Sequence, residues 1–147
     1  MTEVLFYHLQ RRTLEEVLPG LLEKCLERAW KTVVQTGSVE RRDALDAHLW
    51  TYRDESFLPH GLTPDPDTLA VRLTAEPDEP TDATVRFLVD RAAPPDLAPY
   101  ARAVFVFDGN DPDALIDART RWKEVKAAGH DATYWVQDET GRWTKKA

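Results

Sequence analysis

An α/β sandwich around a mostly parallel sheet is the fold class that this sequence predicts, and three observations predict it. Stretches of strand length alternate along the chain with stretches of helical periodicity, the order that builds strand–helix–strand units. The segment "AVFVF" (Ala103–Phe107) is apolar at every position, as a parallel strand covered on both faces must be. "DGNDPDALIDARTRWKEVKAAG" carries a complete set of helix signals, with Asp111 as N-cap, Pro112 at the first helical position and Gly129 past the end.

The other elements follow in chain order. "TEVLFYHL" (Thr2–Leu9) is rich in aromatic and β-branched residues and reads as a first strand. Thr13 opens a helix, and Glu16 completes its T-x-x-E capping box. Leu14, Val17, Leu18, Leu21, Leu22, Cys25, Leu26 and Ala29 then keep the rhythm of one buried face. Pro19-Gly20 interrupts that rhythm and predicts a kink, or a helix that properly starts there. "KTVVQT" (Lys31–Thr36) is a short second strand, and Ser38 caps a second helix running to about Leu49.

"LWTYRDESFLPHGL" (Leu49–Leu62) concentrates large apolar side chains in a segment whose Pro59 and Gly61 argue against a long helix or a central strand. Such aromatics can be core filler, a site wall or a docking surface. Residues 61–83 read as a mobile, proline-rich and acidic loop, interrupted by a possible strand at Leu69–Thr74. "TVRFLVD" (Thr84–Asp90) is a further strand, and "TYWVQDETGRWTKK" closes the chain as a hairpin turning at Asp138–Gly141. The 147 residues are expected to form one domain, 1–147, with no internal repeat.

Composition removes several function classes. A single cysteine excludes an internal disulfide and any CxxC site. No apolar run approaches the ~20 residues of a membrane span, and "MTEVLFYHL" does not resemble a signal peptide, so a cytoplasmic location with no membrane partner is expected. With 26 acidic against 19 basic residues the formal charge is −7, which repels nucleic acid unless the basic residues gather on one face.

Catalytic signatures are sparse. The six glycines fall at no G-x-G-x-x-G spacing, and no Gly-Lys-Ser/Thr follows a strand, so no nucleotide cofactor is expected. Ser38 is a helix cap, Ser56 lacks a nucleophile elbow, and Cys25 lies on the apolar face of its helix. The four histidines form no H-x-x-x-H pair, and His8 reads as a half-buried structural residue. "DGNDPD" (Asp108–Asp113) fails the calcium-loop register, and helix capping accounts for it. Neither a metal site nor intrinsic catalysis is expected.

The last helix stands out. At 100° per residue, Leu115, Ala118, Trp122 and Val125 share one side, and Arg119, Lys123 and Lys126 form a contiguous stripe beside it. Asp117 and Glu124 lie elsewhere. The stripe is either a solvated amphipathic face or a basic-aromatic site for an acidic peptide with an apolar anchor.

Three segments, "FYHL", "ALDAHLWTYRDESFLPH" and "ARTRWKEVKAAGH", carry a resemblance spanning nearly the whole chain. The chain resembles the chi subunit of bacterial DNA polymerase III holoenzyme, and the L-W-x-x-x-x-E-S-F-x-P-H pattern is the most specific part of that likeness. The resemblance implies a Rossmann-like three-layer sandwich and a non-catalytic adaptor acting in DNA replication. It also implies binding of the acidic C-terminal tail of single-stranded-DNA-binding protein at Arg119, Trp122, Lys123 and Lys126. Some family members have tyrosine in place of Trp122, arginine in place of Lys126, and lysine in place of Leu115. Trp50, Phe57, Leu58, Pro59 and His60 match the region that faces the psi subunit, so a psi subunit, or another clamp-loader or helicase partner, is expected there. The chain is expected to be a monomer on its own. The alternative reading is a small-molecule or nucleotide-binding α/β enzyme, against which the missing phosphate loop counts.

Overall fold

The computed structural model describes residues 2–10, 13–28, 30–51, 60–61, 71–75, 83–89, 91–92, 97, 99–137 and 142–146. The first half of the described chain runs β1 (Glu3–Leu9), α1 (Leu14–Glu27), β2 (Thr32–Gln35), α2 (Val39–Thr51), β3 (His60–Gly61) and β4 (Val71–Thr74). The second half runs β5 (Val85–Leu88), β6 (Arg102–Asp108), α3 (Pro112–Ala127), β7 (Asp131–Gln137) and β8 (Trp143–Lys145). The strands form one sheet in the order β3-β4-β2-β5-β6-β1-β7-β8. Only the β7–β8 pair is antiparallel, so the expected α/β fold with a mostly parallel sheet and a C-terminal hairpin is the observed one.

The three layers follow from side-chain alternation along the central strands. Leu5 and Leu9 of β1, with Val104 and Val106 of β6, pack against Leu14, Leu18 and Leu22 of α1 and Leu45 of α2. Val4 and Phe6, with Ala103, Phe105 and Phe107, pack on the opposite face against Ala114, Ala118 and Val125 of α3. The all-apolar reading of "AVFVF" is thereby explained, because β6 is buried from both sides.

Local chemistry sets the helix starts. Thr13 Oγ1 accepts from the Glu16 amide at 3.3 Å while Glu16 Oε1 accepts from the Thr13 amide at 3.2 Å, the reciprocal capping box. Ser38 Oγ accepts from the Arg41 amide at 3.2 Å and opens α2. Asp111 Oδ1 accepts from the Asp113 amide at 3.0 Å, and Pro112 follows as the first residue of α3.

Pro19-Gly20 does not start a helix, contrary to one of the two sequence expectations. A single α1 runs through it from Leu14, because the capping box sets the start and buried Leu14, Leu18, Leu22 and Cys25 hold one continuous face. Strand β3 is a two-residue edge strand, which a segment containing Pro59 and Gly61 can supply only at the border of a sheet. Of the expected loop 61–83, the described part comprises Gly61, Val71–Ala75 and Ala83, and β4 corresponds to the strand expected at Leu69–Thr74. The hairpin turn expected at Asp138–Gly141 lies outside the described residues.

Candidate functional site on helix α3

Alternation in β1 points Val4, Phe6 and His8 toward α3, and the parallel register places Phe6 beside Phe105 on one side and Tyr134 of β7 on the other. Phe6 is fully buried and stacks on Phe105, with ring centroids 4.8 Å apart. Trp122 descends from α3 onto this pair, edge-on to Phe6 at 5.3 Å and to Tyr134 at 6.0 Å. The indole is therefore anchored on one side by the core and left half-buried on the other.

Between α3 and β7 lies a groove of about 430 Å³ lined by His8, Leu115, Ala118, Arg119, Trp122, Lys123 and Tyr134. Its floor is apolar and aromatic, and its α3 rim carries the two exposed cations Arg119 and Lys123. Exposed Lys126 holds Nζ 5.2 Å from the centre of the Trp122 ring, a cation–π contact that extends the charged rim along the helix. Two of the three acids of α3 are engaged elsewhere. Arg121 reaches Asp117 at 3.8 Å and Glu124 at 3.1 Å, so neither carboxylate neutralises the stripe.

All four residues expected from the α3 pattern are thus brought together: Arg119, Trp122 and Lys123 line the groove, and Lys126 lies against the indole. Trp50 falls in α2 and His60 in β3, with side chains outside the description, and Phe57, Leu58 and Pro59 lie outside the described residues.

Two groove residues escape sequence reasoning. His8 looks structural from its place in a strand, and Tyr134 looks like one more hairpin aromatic. Only the register of β1 against β7 makes them neighbours, with His8 Nδ1 2.7 Å from the Tyr134 hydroxyl. Burial pushes the His8 imidazole below its ordinary range, while nearby Asp108 pulls it back up. Burial also raises the Tyr134 phenol, and the Arg119 charge lowers it. Arg119 is therefore close enough for its field to reach the phenol.

The His8 ring lies directly over Gly109. A Cβ on Gly109 would fall 1.9 Å from His8 Nε2 and 2.6 Å from the Leu9 carbonyl oxygen, so no larger residue fits without moving backbone. Gly109→Ala is expected to cost ~1–3 kcal/mol by overpacking, with His8 displaced into the groove. Chemical denaturation should show the loss, and the imidazole NMR signals should show the displacement. A variant with unchanged stability and His8 signals would refute this account of the turn.

A larger crevice of about 490 Å³ opens at the carboxyl ends of β1 and β6. There the chain leaves β1 toward the α1 face and β6 toward the α3 face, the switch point at which such sheets commonly bind ligands. Its lining carries exposed Arg91, but its helix starts offer a phosphate little. The helix starts that face it are already capped by Glu16 at α1 and Asp111 at α3, Asp108 Oδ1 accepts from the Asn110 amide at 2.8 Å, and Arg41 is held by Glu15 at 2.6 Å. The stretch "DGNDPD" thus serves as turn and cap, as its spacing suggests. Cys25 is buried, and burial raises its thiol, the inert condition expected of a core cysteine.

The comparisons with known proteins identify the family. The family model for the DNA polymerase III chi subunit, HolC, matches residues 1–133. The chain is also 30% identical over 100 residues to a protein named probable DNA polymerase III subunit chi from Rickettsia prowazekii (strain Madrid E). That alignment covers 67% of this chain and 59% of the relative, so the chain spans well under two thirds of that relative's length. The "FYHL" strand supplies His8 to the groove, and the part of "ARTRWKEVKAAGH" that lies in α3 supplies Ala118, Arg119, Trp122 and Lys123. Motif, family model and relative converge, and this chain belongs to the DNA polymerase III chi subunit family.

Proposed function

We propose that the protein is a non-catalytic adaptor in DNA replication that binds the acidic C-terminal tail of single-stranded-DNA-binding protein in the α3 groove and connects it to the clamp-loader assembly. The observation that carries this reading is the pairing of an apolar, aromatic floor with a rim of cations on a chain of net charge −7. An acidic peptide is attracted to that rim, and an apolar end residue finds a half-buried indole to pack against. A duplex would meet a largely acidic protein beyond this small patch.

A second partner, the psi subunit or another clamp-loader or helicase component, docks through Trp50, Phe57, Leu58, Pro59 and His60. In support, His60, the last of these residues, lies in β3 at one edge of the sheet, while α3 packs on β6 and β7 toward the other. Partners held toward opposite edges of one sheet would not compete, as an adaptor requires. The enzyme alternative is disfavoured by the carboxylate caps at the switch-point crevice, which oppose a phosphate-bearing cofactor.

A titration of the labelled C-terminal peptide of the cell's own single-stranded-DNA-binding protein tests the reading. Binding on the order of micromolar is expected. Removing the final apolar residue should weaken it about tenfold or more, the effect of one buried side chain. Equal binding of the full and shortened peptides would reduce the groove to a diffuse charge patch and overturn the docking mechanism.

A further inference from the structure

His8 and Tyr134 form a hydrogen-bonded pair in the wall of the α3 groove, at a place where the tail-binding reading requires a receptor for a chain end. We propose that the Tyr134 hydroxyl, oriented by His8 Nδ1, is the donor that reads the free carboxylate at the end of the bound tail, beside Arg119. This inference rests on the tail-binding reading and adds the residues that distinguish a chain end from any other acidic stretch.

The argument turns on what a phenol can offer. Its oxygen lies 2.7 Å from His8 Nδ1. When Nδ1 carries the hydrogen, the imidazole donates to the phenol oxygen, and the phenol hydrogen is free to donate outward. In the other neutral tautomer Nδ1 accepts that hydrogen, and the phenol presents only lone pairs to the groove. A carboxylate arriving beside Tyr134 therefore selects the Nδ1–H form, and the imidazolium, which has a hydrogen on both nitrogens, leaves the same phenol hydrogen free and adds a positive charge. Arg119 supplies the second half of the receptor, since it lines the same groove as Tyr134. A guanidinium and a hydroxyl converging on one carboxylate give charge and direction together, which surface lysines alone do not.

A proton linkage follows. The charged and titratable groups around His8, among the described residues, are Tyr134 from β7, Asp108 at the end of β6, and Arg119 and Lys123 from α3. Burial disfavours the imidazolium in the free protein. A carboxylate in the groove favours it, so binding raises the His8 pKa, and affinity increases as pH falls through the histidine range. The tail's own carboxylates stay ionised above about pH 5, so they do not mask the effect.

The test compares the C-terminal tail peptide as a free acid with the same peptide amidated at its end. Wild type should prefer the free acid by about tenfold or more, the worth of a hydrogen bond to a charged group. That preference should grow between about pH 8 and about pH 5.5. Tyr134→Phe should bring the two peptides close together while leaving the affinity for the amidated one near wild type. A tyrosine with only a packing role would weaken both alike. His8→Gln, which cannot titrate, should flatten the pH profile. Should either variant fold poorly, the His8 imidazole followed by NMR in wild type carries the test: its pKa should rise on adding the free acid and not on adding the amide. Equal binding of the two peptides by wild type, or an unmoved His8 pKa, would overturn this inference and leave the tail-binding reading standing. Failure of both peptides to bind would remove the two together.

Discussion

Arg119→Glu combined with Lys123→Glu is expected to weaken tail binding at physiological salt by roughly five-fold or more while leaving the fold intact. Both side chains are exposed on the rim of the α3 groove, off the face that buries Ala114, Ala118 and Val125. Each exposed contact is worth only ~0.2–1 kcal/mol, but reversal replaces an attraction by a repulsion of similar size. Two reversals therefore shift binding by ~1–4 kcal/mol, roughly five-fold to a thousand-fold. Starting from a micromolar complex, the upper part of that range lies beyond ordinary titration. The same physics predicts that wild-type affinity falls as salt rises, because the Debye length is about 8 Å at physiological ionic strength and shortens from there. Anisotropy titrations of both proteins across a salt series would check this, with circular dichroism to verify the helix. Undiminished binding by a folded double variant would place the tail somewhere other than α3.

The second large effect concerns stability. Phe6→Ala should destabilise the protein by ~3–5 kcal/mol, the usual loss for a buried phenylalanine. Phe6 is 0% exposed, stacks on Phe105 and supports the edge of Trp122, so its removal opens a cavity beneath the indole and not at a yielding margin. For a chain of this size such a loss corresponds to a fall in Tm of roughly 10 °C or more. Tail affinity should drop as well, since Trp122 can sink into the space and the groove floor loses its shape. Denaturant melts and the peptide titration together distinguish the outcomes. A loss of stability below ~1 kcal/mol would mean that the site collapses readily and that Phe6 is not the support of the binding surface.

Much of the architecture is legible in short stretches of sequence, because it is decided by short-range chemistry. Thr13 with Glu16, Ser38, and Asp111 with Pro112 mark helix starts through bonds that reach only two or three residues. The helical spacing of Leu115, Ala118, Trp122 and Val125 orients α3 before any partner is known, and Arg119, Lys123 and Lys126 come with it. Pro19-Gly20, read as a helix start, fails for the same reason. It is a strong local signal, overridden by the apolar face that α1 buries against the sheet.

What escapes such reading depends on contacts between residues far apart in the chain. Arg86 looks like a surface position in "TVRFLVD", yet it is 0% exposed, donating to Gln35 Oε1 at 2.6 Å and to the Tyr100 hydroxyl at 2.8 Å. Its burial becomes evident only when β5 lies beside β2 and Tyr100 packs against Val33 of β2. The pairing of His8 with Tyr134 is of the same kind, spanning 126 positions and set by one parallel register. Helix caps and the charged stripe of α3 are thus written in local sequence, because backbone hydrogen bonding and helical period act over a few residues. The groove floor and the His8–Tyr134 pair exist only once the strand order brings β1, β6 and β7 together, and the buried arginine only once β5 lies beside β2, because strand order is decided by contacts between residues far apart in the chain.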